Sequence, residues 1–175
     1  MIYFETPRLL LRSWKEEDIE VFAKINHDQL VMEYFLKPLT DKESLDLYNR
    51  IQDEFSMYGY GLYAIEKKED GAFIGFTGFH NITFNVDFAP GIEIGWRIQQ
   101  EDWNKGYVTE AAKACLLYAK ENLPFKTIWS FTSLPNKRSE RIMQKIGMEK
   151  VKSFPHPSVP DGHPLKEHVL YKITI

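Results

Sequence analysis

Residues 101–123, EDWNKGYVTEAAKACLLYAKENL, join a polar turn to an amphipathic helix. The helical pattern runs from Tyr107 to Asn122, and Pro124 ends it. Lys105-Gly106 places a residue without a side chain at the helix start, where backbone N–H groups have no helical acceptor. Two interpretations stay open at this point: the glycine is helix punctuation, or the free N–H groups bind an anion such as a pyrophosphate.

The chain contains no other convincing phosphate-binding motif. The P-loop pattern G-x-x-x-x-G-K-[ST] does not occur. Residues 59–64, GYGLYA, imitate a dinucleotide fingerprint, but they precede a strand instead of lying between a strand and a helix. This context favours a turn that leads into a strand.

The composition predicts one compact domain over residues 1–175. Hydrophobic residues make up 43% of the chain, and neither metals nor disulfides are needed to hold a core of this size. The single Cys115 and the absence of a secretory pattern predict a cytoplasmic protein. No apolar run approaches the roughly 20 residues of a membrane helix. A net charge of −3 without a basic block argues against nucleic acid as a partner.

The order of predicted elements indicates a mixed α/β domain around one sheet. Ser13 with Glu16, and Thr40 with Glu43, predict capping boxes at two helix starts. Residues 69–71, Glu-Asp-Gly, predict a hairpin turn. Four prolines in residues 154–164 predict a loop. The predicted order is a strand at 9–12, two helices, three strands, a helix at 107–122, a strand at 126–133, a helix that Asn136 caps and Gly147 ends, and terminal strands.

Residues 93–114, EIGWRIQQEDWNKGYVTEAAKA, resemble the coenzyme A-binding segment of the GNAT superfamily of N-acetyltransferases, in its RimJ/RimL-like branch. The superfamily's signature is Gln/Arg-x-x-Gly-x-Gly/Ala; Gly106 fits its register, whereas Trp103 and Val108 depart from it. Residues 6–18 resemble the family's opening strand and first helix, and residues 134–149 its Asn-x-x-Ser helix. The resemblance implies the GNAT fold, with one central, mostly antiparallel sheet of six to seven strands flanked by about four helices.

The resemblance also implies acetyl-CoA as cosubstrate, no metal, and direct transfer of the acetyl group to a primary amine. Ser139 would assist the departing CoA thiolate, and Asn136 would contact the pantetheine arm. From the residues alone, both are explained equally well as local cap partners. The backbone near Ile98 would hold the thioester carbonyl. The pyrophosphate would lie on the backbone amides of Lys105, Gly106, Tyr107, Val108 and Thr109.

An amine must be neutral before it attacks a thioester. An α-amine with a pKa of about 7.8 needs less help from a base than a lysine with a pKa of about 10.4. Glu93, on the strand that leads to Ile98, is the first candidate base, acting directly or through water. His80 is the second candidate because imidazole titrates near neutral pH. An exposed strand carboxylate and a structural histidine are the alternatives to these roles.

The sequence leaves the acceptor open between a protein N-terminal α-amine and a small-molecule amine. A homodimer is expected only by analogy with the family. Aromatic residues from the first helices and the hairpin are candidates for the wall of the acceptor pocket: Tyr34, Phe35, Tyr58, Tyr60 and Phe84.

Other functions were weighed against acetyl transfer. Cys115 lies on an alanine-rich helix face, which favours buried packing over a role as acyl-carrying nucleophile. His156, His163 and His168 are loosely spaced and lack the Cys or acidic partners of a metal site. A non-catalytic CoA-binding or regulatory module would bind acetyl-CoA without turnover, and a structural interaction domain would not bind it.

Overall fold

The computed structural model describes residues 1–175 and consists of one mixed sheet with helices on both faces. The elements are β1 (Ile2–Glu5), β2 (Leu9–Arg12), α1 (Asp18–His27), α2 (Asp41–Tyr58), β3 (Leu62–Lys67), β4 (Phe73–Ile82), β5 (Gly91–Ile98), a short 3-10 turn (Gln100–Asp102), α3 (Tyr107–Asn122), β6 (Thr127–Ser133), α4 (Lys137–Lys145), β7 (Glu149–Pro155) and β8 (Glu167–Thr174).

The sheet has eight strands in the order β1-β2-β3-β4-β5-β6-β8-β7. Only β5 and β6 are parallel, so the predicted mostly antiparallel sheet is confirmed. The predicted count of six to seven strands is too low. The sequence interpretation gave no bounds for β7, which is rich in exposed polar residues, and it omitted the edge strand β1. Edge strands commonly carry such residues.

The two faces of the sheet pack against different helices. Ile94 and Ile98 belong to the core cluster that contains the buried face of α3. On the opposite face, Phe76 packs with Phe22 of α1 and Ile51 of α2. Consecutive residues of β5 point to opposite faces, so this strand contributes to both layers. None of the four helices combines the length and the apolar character needed to cross a membrane.

Of the two predicted capping boxes, one is confirmed and one is wrong. Glu43 N donates to Thr40 Oγ1 at 3.2 Å, and Thr40 N donates to Glu43 Oε2 at 2.8 Å. The box of Ser13 and Glu16 does not form, because α1 begins only at Asp18. The Asp18 carboxylate accepts from Lys15 N at 2.7 Å, and Ser13 Oγ accepts instead from the N-terminal ammonium.

The remaining local predictions hold with small shifts. The hairpin turn joins β3 to β4 with Gly71 at a left-handed φ of 73°. The predicted helix at 107–122 and the cap at Asn136 are confirmed. The proline-rich loop begins after Pro155, because Phe154 and Pro155 still pair with β8.

Candidate active site

The N-terminus of α3 presents free backbone N–H groups. Asn104 and Gly106 have left-handed φ values of 62° and 81°, which turn the chain sharply into the helix. The first helical bond runs from Glu110 N to Gly106 O at 3.0 Å, so the first three N–H groups of α3 have no helical acceptor. None of them donates to backbone elsewhere in the chain. Together with the helix dipole, these groups are suited to an anion such as a phosphate.

Two cations flank this turn, and a carboxylate holds each of them. Lys105 Nζ lies 2.9 Å from an oxygen of the buried Asp102. Arg8, just before β2, forms an ion pair with Glu110 at 2.6 Å and donates to Lys105 O at 2.9 Å. Arg8 therefore ties the N-terminal segment to the turn. Asp102 therefore neutralises part of the positive charge that Lys105 brings to the turn.

The parallel strands β5 and β6 separate soon after they pair. Their last paired residues are Glu93 and Trp129. Ser130 Oγ donates to Ile94 O at 2.9 Å at the point of separation. Beyond it, the facing backbone edges are no longer joined by a ladder, and a gap opens toward the N-terminus of α3.

Alternate backbone groups of β5 face this gap. Gln99 N donates to Ile74 O of β4, so the odd-numbered residues of β5 bond to β4. The N–H groups of Trp96 and Ile98 therefore point the other way, into the gap. The carbonyl oxygen of Ile98 already accepts a hydrogen bond from Trp103 Nε1 at 3.2 Å. Ile98, which the resemblance implied as a cofactor contact, thus lines the gap with its backbone donor.

Ser139 at the start of α4 has a hydroxyl hydrogen that no protein group accepts. Asn136 Oδ1 accepts from Ser139 N at 3.3 Å, as a helix cap does. Ser139 Oγ accepts from Asn136 Nδ2 at 3.2 Å and from Trp96 Nε1 at 3.3 Å. Because this hydroxyl accepts two bonds and donates none, it is available to donate to a group in the cleft.

A single cleft of about 950 Å³ contains these features. Its other end is lined by the connection between α1 and α2 and by the proline-rich loop. Tyr34, Phe35 and Phe84 line it, as predicted for wall residues. Tyr58 and Tyr60 are not among its lining residues; they stack on each other with ring centroids 5.7 Å apart.

His80 and Glu93, the two candidate bases, form one pair. They lie opposite each other on β4 and β5, and His80 Nε2 is 3.0 Å from Glu93 Oε2. Burial disfavours the imidazolium, but Glu93 and the more distant Glu54 stabilise it and raise the pKa of His80 to about 8. His80 thus titrates close to an α-amine, which is the match that proton transfer at neutral pH requires.

A glycine pair lies directly beside these two residues. Gly78 and Gly95 form the cross-strand pair two residues away from His80 and Glu93, on the same face of the sheet. A Cβ at Gly95 would find only Glu93 Oε1 nearby, at 3.8 Å. The glycine therefore leaves open space beside Glu93 for an acceptor group.

Cys115 lies outside the cleft, whereas His156 and His168 are among its lining residues. Cys115 is fully buried, and burial raises the pKa of its thiol far above its usual range. The rings of His156 and His168 lie 4.8 Å apart, and burial lowers the pKa of both, that of His156 to about 4. No group of three His, Cys, Asp or Glu side chains is arranged to hold a metal ion.

Trp96 and Arg97 are among the cleft residues that sequence reasoning missed. The alternation in residues 91–98, GIEIGWRI, is the signal that separates them. It places Trp96 on the α3 face with Ile94, and Arg97 on the α1–α2 face with Glu93.

Comparison with known proteins matches residues 8–149 to a family model described as an acetyltransferase (GNAT) domain. The uncharacterized protein YkkB of Bacillus subtilis (strain 168) is 30% identical over 150 residues, which cover 85% of this chain and 86% of that protein. FsC-acetyl coenzyme A-N(2)-transacetylase of Aspergillus fumigatus is 26% identical over 185 residues, 97% of this chain and 74% of that protein. The crystal structure of a GNAT-family acetyltransferase from Bacillus anthracis superposes with a TM-score of 0.80 at 25% identity, covering 99% of this chain and 98% of that one.

Proposed function

The chain belongs to the GNAT family of acetyltransferases, and we propose that it transfers the acetyl group of acetyl-CoA directly to a primary amine bound beside Glu93. The observation that carries the proposal is the presence of an anion site, backbone donors, a free hydroxyl and the pair of His80 and Glu93 in one cleft. The family identifies an acyltransferase. The alternatives of a non-catalytic module and a structural domain have no finding in their favour.

The cofactor contacts follow from the free donors of the cleft. The N–H groups at the start of α3, around Gly106, bind the pyrophosphate, and Arg8 holds the turn in shape. The gap between β5 and β6 receives the pantetheine arm, with Asn136 beside it. The N–H groups of Trp96 and Ile98 are the donors for the thioester carbonyl.

The reaction needs one proton transfer from the nitrogen and one hydrogen bond to the sulfur. The amine attacks the thioester carbon in its neutral form, and His80, oriented by Glu93, takes the proton that the nitrogen loses as the carbon–nitrogen bond forms. The N–H groups of Trp96 and Ile98 stabilise the tetrahedral oxyanion. As the carbon–sulfur bond breaks, Ser139 donates a hydrogen bond to the leaving thiolate, which has a modest need for help because thiols are acidic. Neither step requires an acyl-enzyme, in agreement with the burial of Cys115.

Replacing Gly106 by alanine is expected to weaken acetyl-CoA binding by about 10- to 100-fold, since charge-assisted bonds to the phosphates are lost. Gly71→Ala is the matched control, because Gly71 has a similar left-handed φ of 73° and lies in an exposed turn outside the cleft. Both variants lose about 1 kcal/mol of stability from backbone strain.

Thermal unfolding with acetyl-CoA, CoA, ATP and NAD measures the difference. A ligand at about 100 times its Kd adds about 2.7 kcal/mol of stability, or roughly 5–10 °C in a domain of this size. The wild type and Gly71→Ala should respond to acetyl-CoA and CoA only. If acetyl-CoA raised the melting temperature of both glycine variants equally, the anion would not bind at the N-terminus of α3.

Ser139→Ala is expected to lower kcat by about 10- to 100-fold and to leave the affinity for acetyl-CoA unchanged. The change removes the free hydroxyl donor, while the backbone N–H of residue 139 can still donate to the Asn136 cap. Ser153→Ala, on the exposed edge strand β7, is the control. Release of CoA with a primary amine is the readout. Unchanged kcat in Ser139→Ala would show that the thiolate leaves without this hydroxyl.

Finer assignments stay proposals. The RimJ/RimL-like branch is proposed from the motif resemblance, and a homodimer from family analogy alone. A cytoplasmic location is proposed because the lone Cys115 is a free thiol. Nucleic acid is not proposed as a partner, since the net charge is −3.

A further inference from the structure

Arg97 is a charged residue of the cleft that has no carboxylate partner. Its guanidinium lies over the rings of Phe35 and Phe76, 4.5 and 5.5 Å from their centroids. Its one hydrogen bond runs from Nη1 to Asn26 Oδ1 at 2.5 Å, and its buried Nε has no partner. Burial lowers the pKa of Arg97 to about 10, which leaves the group charged at neutral pH.

Arg12, the buried arginine of the chain, shows how the fold pairs such a charge. Arg12 is ion-paired with Asp18 at 2.7 Å and also with Glu66. A buried charge without a counter-ion is costly, and proteins generally pair it. The chain neutralises Arg12 with two carboxylates, whereas it supplies Arg97 with a neutral amide oxygen only.

The position of Arg97 relates it to the acceptor and not to the cofactor. Its side chain is on the α1–α2 face of the sheet, where it meets Asn26 of α1, whereas Ile98 and the buried face of α3 belong to the opposite layer. Along β5, Gly95 separates Arg97 from Glu93 on the same face. The strand rise puts the Cα atoms of Glu93 and Arg97 about 13 Å apart, with open space above Gly95 between them.

On the basis of the proposed acetyl transfer, we propose that the acceptor is a primary amine that also carries an anionic oxygen group several bonds from the nitrogen. The anionic group is a carboxylate or a phosphate. The amine lies at His80 and Glu93, and the anion pairs with Arg97. Phe35 and Phe76 lie over the guanidinium, and these cation–π contacts hold it in place for a charge-assisted pair with the anion. Polyamines, which carry only cations, are poor acceptors in this arrangement.

The test compares matched acceptors that differ only in the anion. A homologous series of ω-amino acids is assayed against the corresponding carboxamides, with aminoalkyl phosphates and spermidine as further arms, at saturating acetyl-CoA. The wild type is expected to use the best acid or phosphate with a kcat/KM about 10- to 100-fold above its neutral counterpart. The phosphate and carboxylate arms identify which anion is preferred.

The variants Arg97→Gln and Arg97→Lys separate recognition from folding. In Arg97→Gln the acid-to-amide ratio should fall to about one, while Arg97→Lys keeps part of it. Because the glutamine variant removes an uncompensated charge, its melting temperature should not fall. The N-acetylated product of the preferred acid, added with CoA, should raise the melting temperature of the wild type more than that of Arg97→Gln, which is a readout without turnover.

Three results would overturn the inference. If the wild type uses acids and amides equally, or prefers spermidine, the acceptor does not need an anionic group. A loss of acetyl-CoA affinity in Arg97→Gln that accounts for its loss of activity assigns Arg97 to the cofactor instead. Failure of acetyl transfer itself has a different signature, because the chain would then release no CoA with any amine in the panel, with or without an anion.

Discussion

Replacing His80 by glutamine is expected to lower kcat by about 10²–10⁴-fold, the range that removal of a general base produces. The imidazole has the pKa of about 8 that suits an amine, and it lies opposite Glu93, which borders the open space at Gly95. Acetyl-CoA affinity should be unchanged, since His80 lies away from the N-terminus of α3. His27→Gln is the matched control, because His27 forms a similar pair with Asp41 on the surface, 3.2 Å apart and outside the cleft.

The pH dependence of kcat gives a second readout of the same pair. Only the neutral imidazole accepts a proton, so the wild-type kcat should rise as the pH passes through about 8. In Glu93→Gln the imidazolium loses its ion pair, and the rise should move to lower pH, with Glu54 as the remaining nearby carboxylate. If His80→Gln kept the wild-type kcat, or if the pH profile of kcat did not shift in Glu93→Gln, His80 would not be the base that Glu93 orients.

Asp18→Asn is expected to lower the free energy of unfolding by about 3 kcal/mol, the low end for breaking a buried ion pair. Asp18 and Arg12 are 1% and 5% exposed and are joined by two hydrogen bonds of 2.7 and 2.9 Å. The loss stays at the low end because Glu66 still faces Arg12. In a domain of this size the melting temperature should fall by roughly 6–12 °C.

Glu20→Gln is the control for this change. Glu20 is also in the first turn of α1, so both substitutions remove a similar interaction with the helix dipole. Its pair with Lys24 is highly exposed, so solvent screens the attraction and the pair adds little stability. Equal destabilisation by both substitutions would mean that the buried pair adds nothing beyond the charge at the helix start.

Several features were available from the sequence because they depend on residues a few positions apart. The cap at Thr40 and the hairpin turn at Gly71 are of this kind, as is the start of α3 at Gly106. The failed box at Ser13 has the same local pattern. There Asp18, the first residue of α1, pairs with Arg12, which also contacts Glu66 on β3, and the helix begins after the predicted box.

The sequence by itself determined the fold class, the family resemblance and the positions of the free N–H groups at α3. The tertiary structure decided which distant side chains meet. His80 pairs with Glu93 only through the register of β4 and β5, and Ser139 meets Trp96 across 43 positions of the chain. Arg97 is left without a carboxylate for the same reason. Local patterns specify backbone conformation within a few residues, whereas strand register and helix packing set the contacts between residues far apart in the chain.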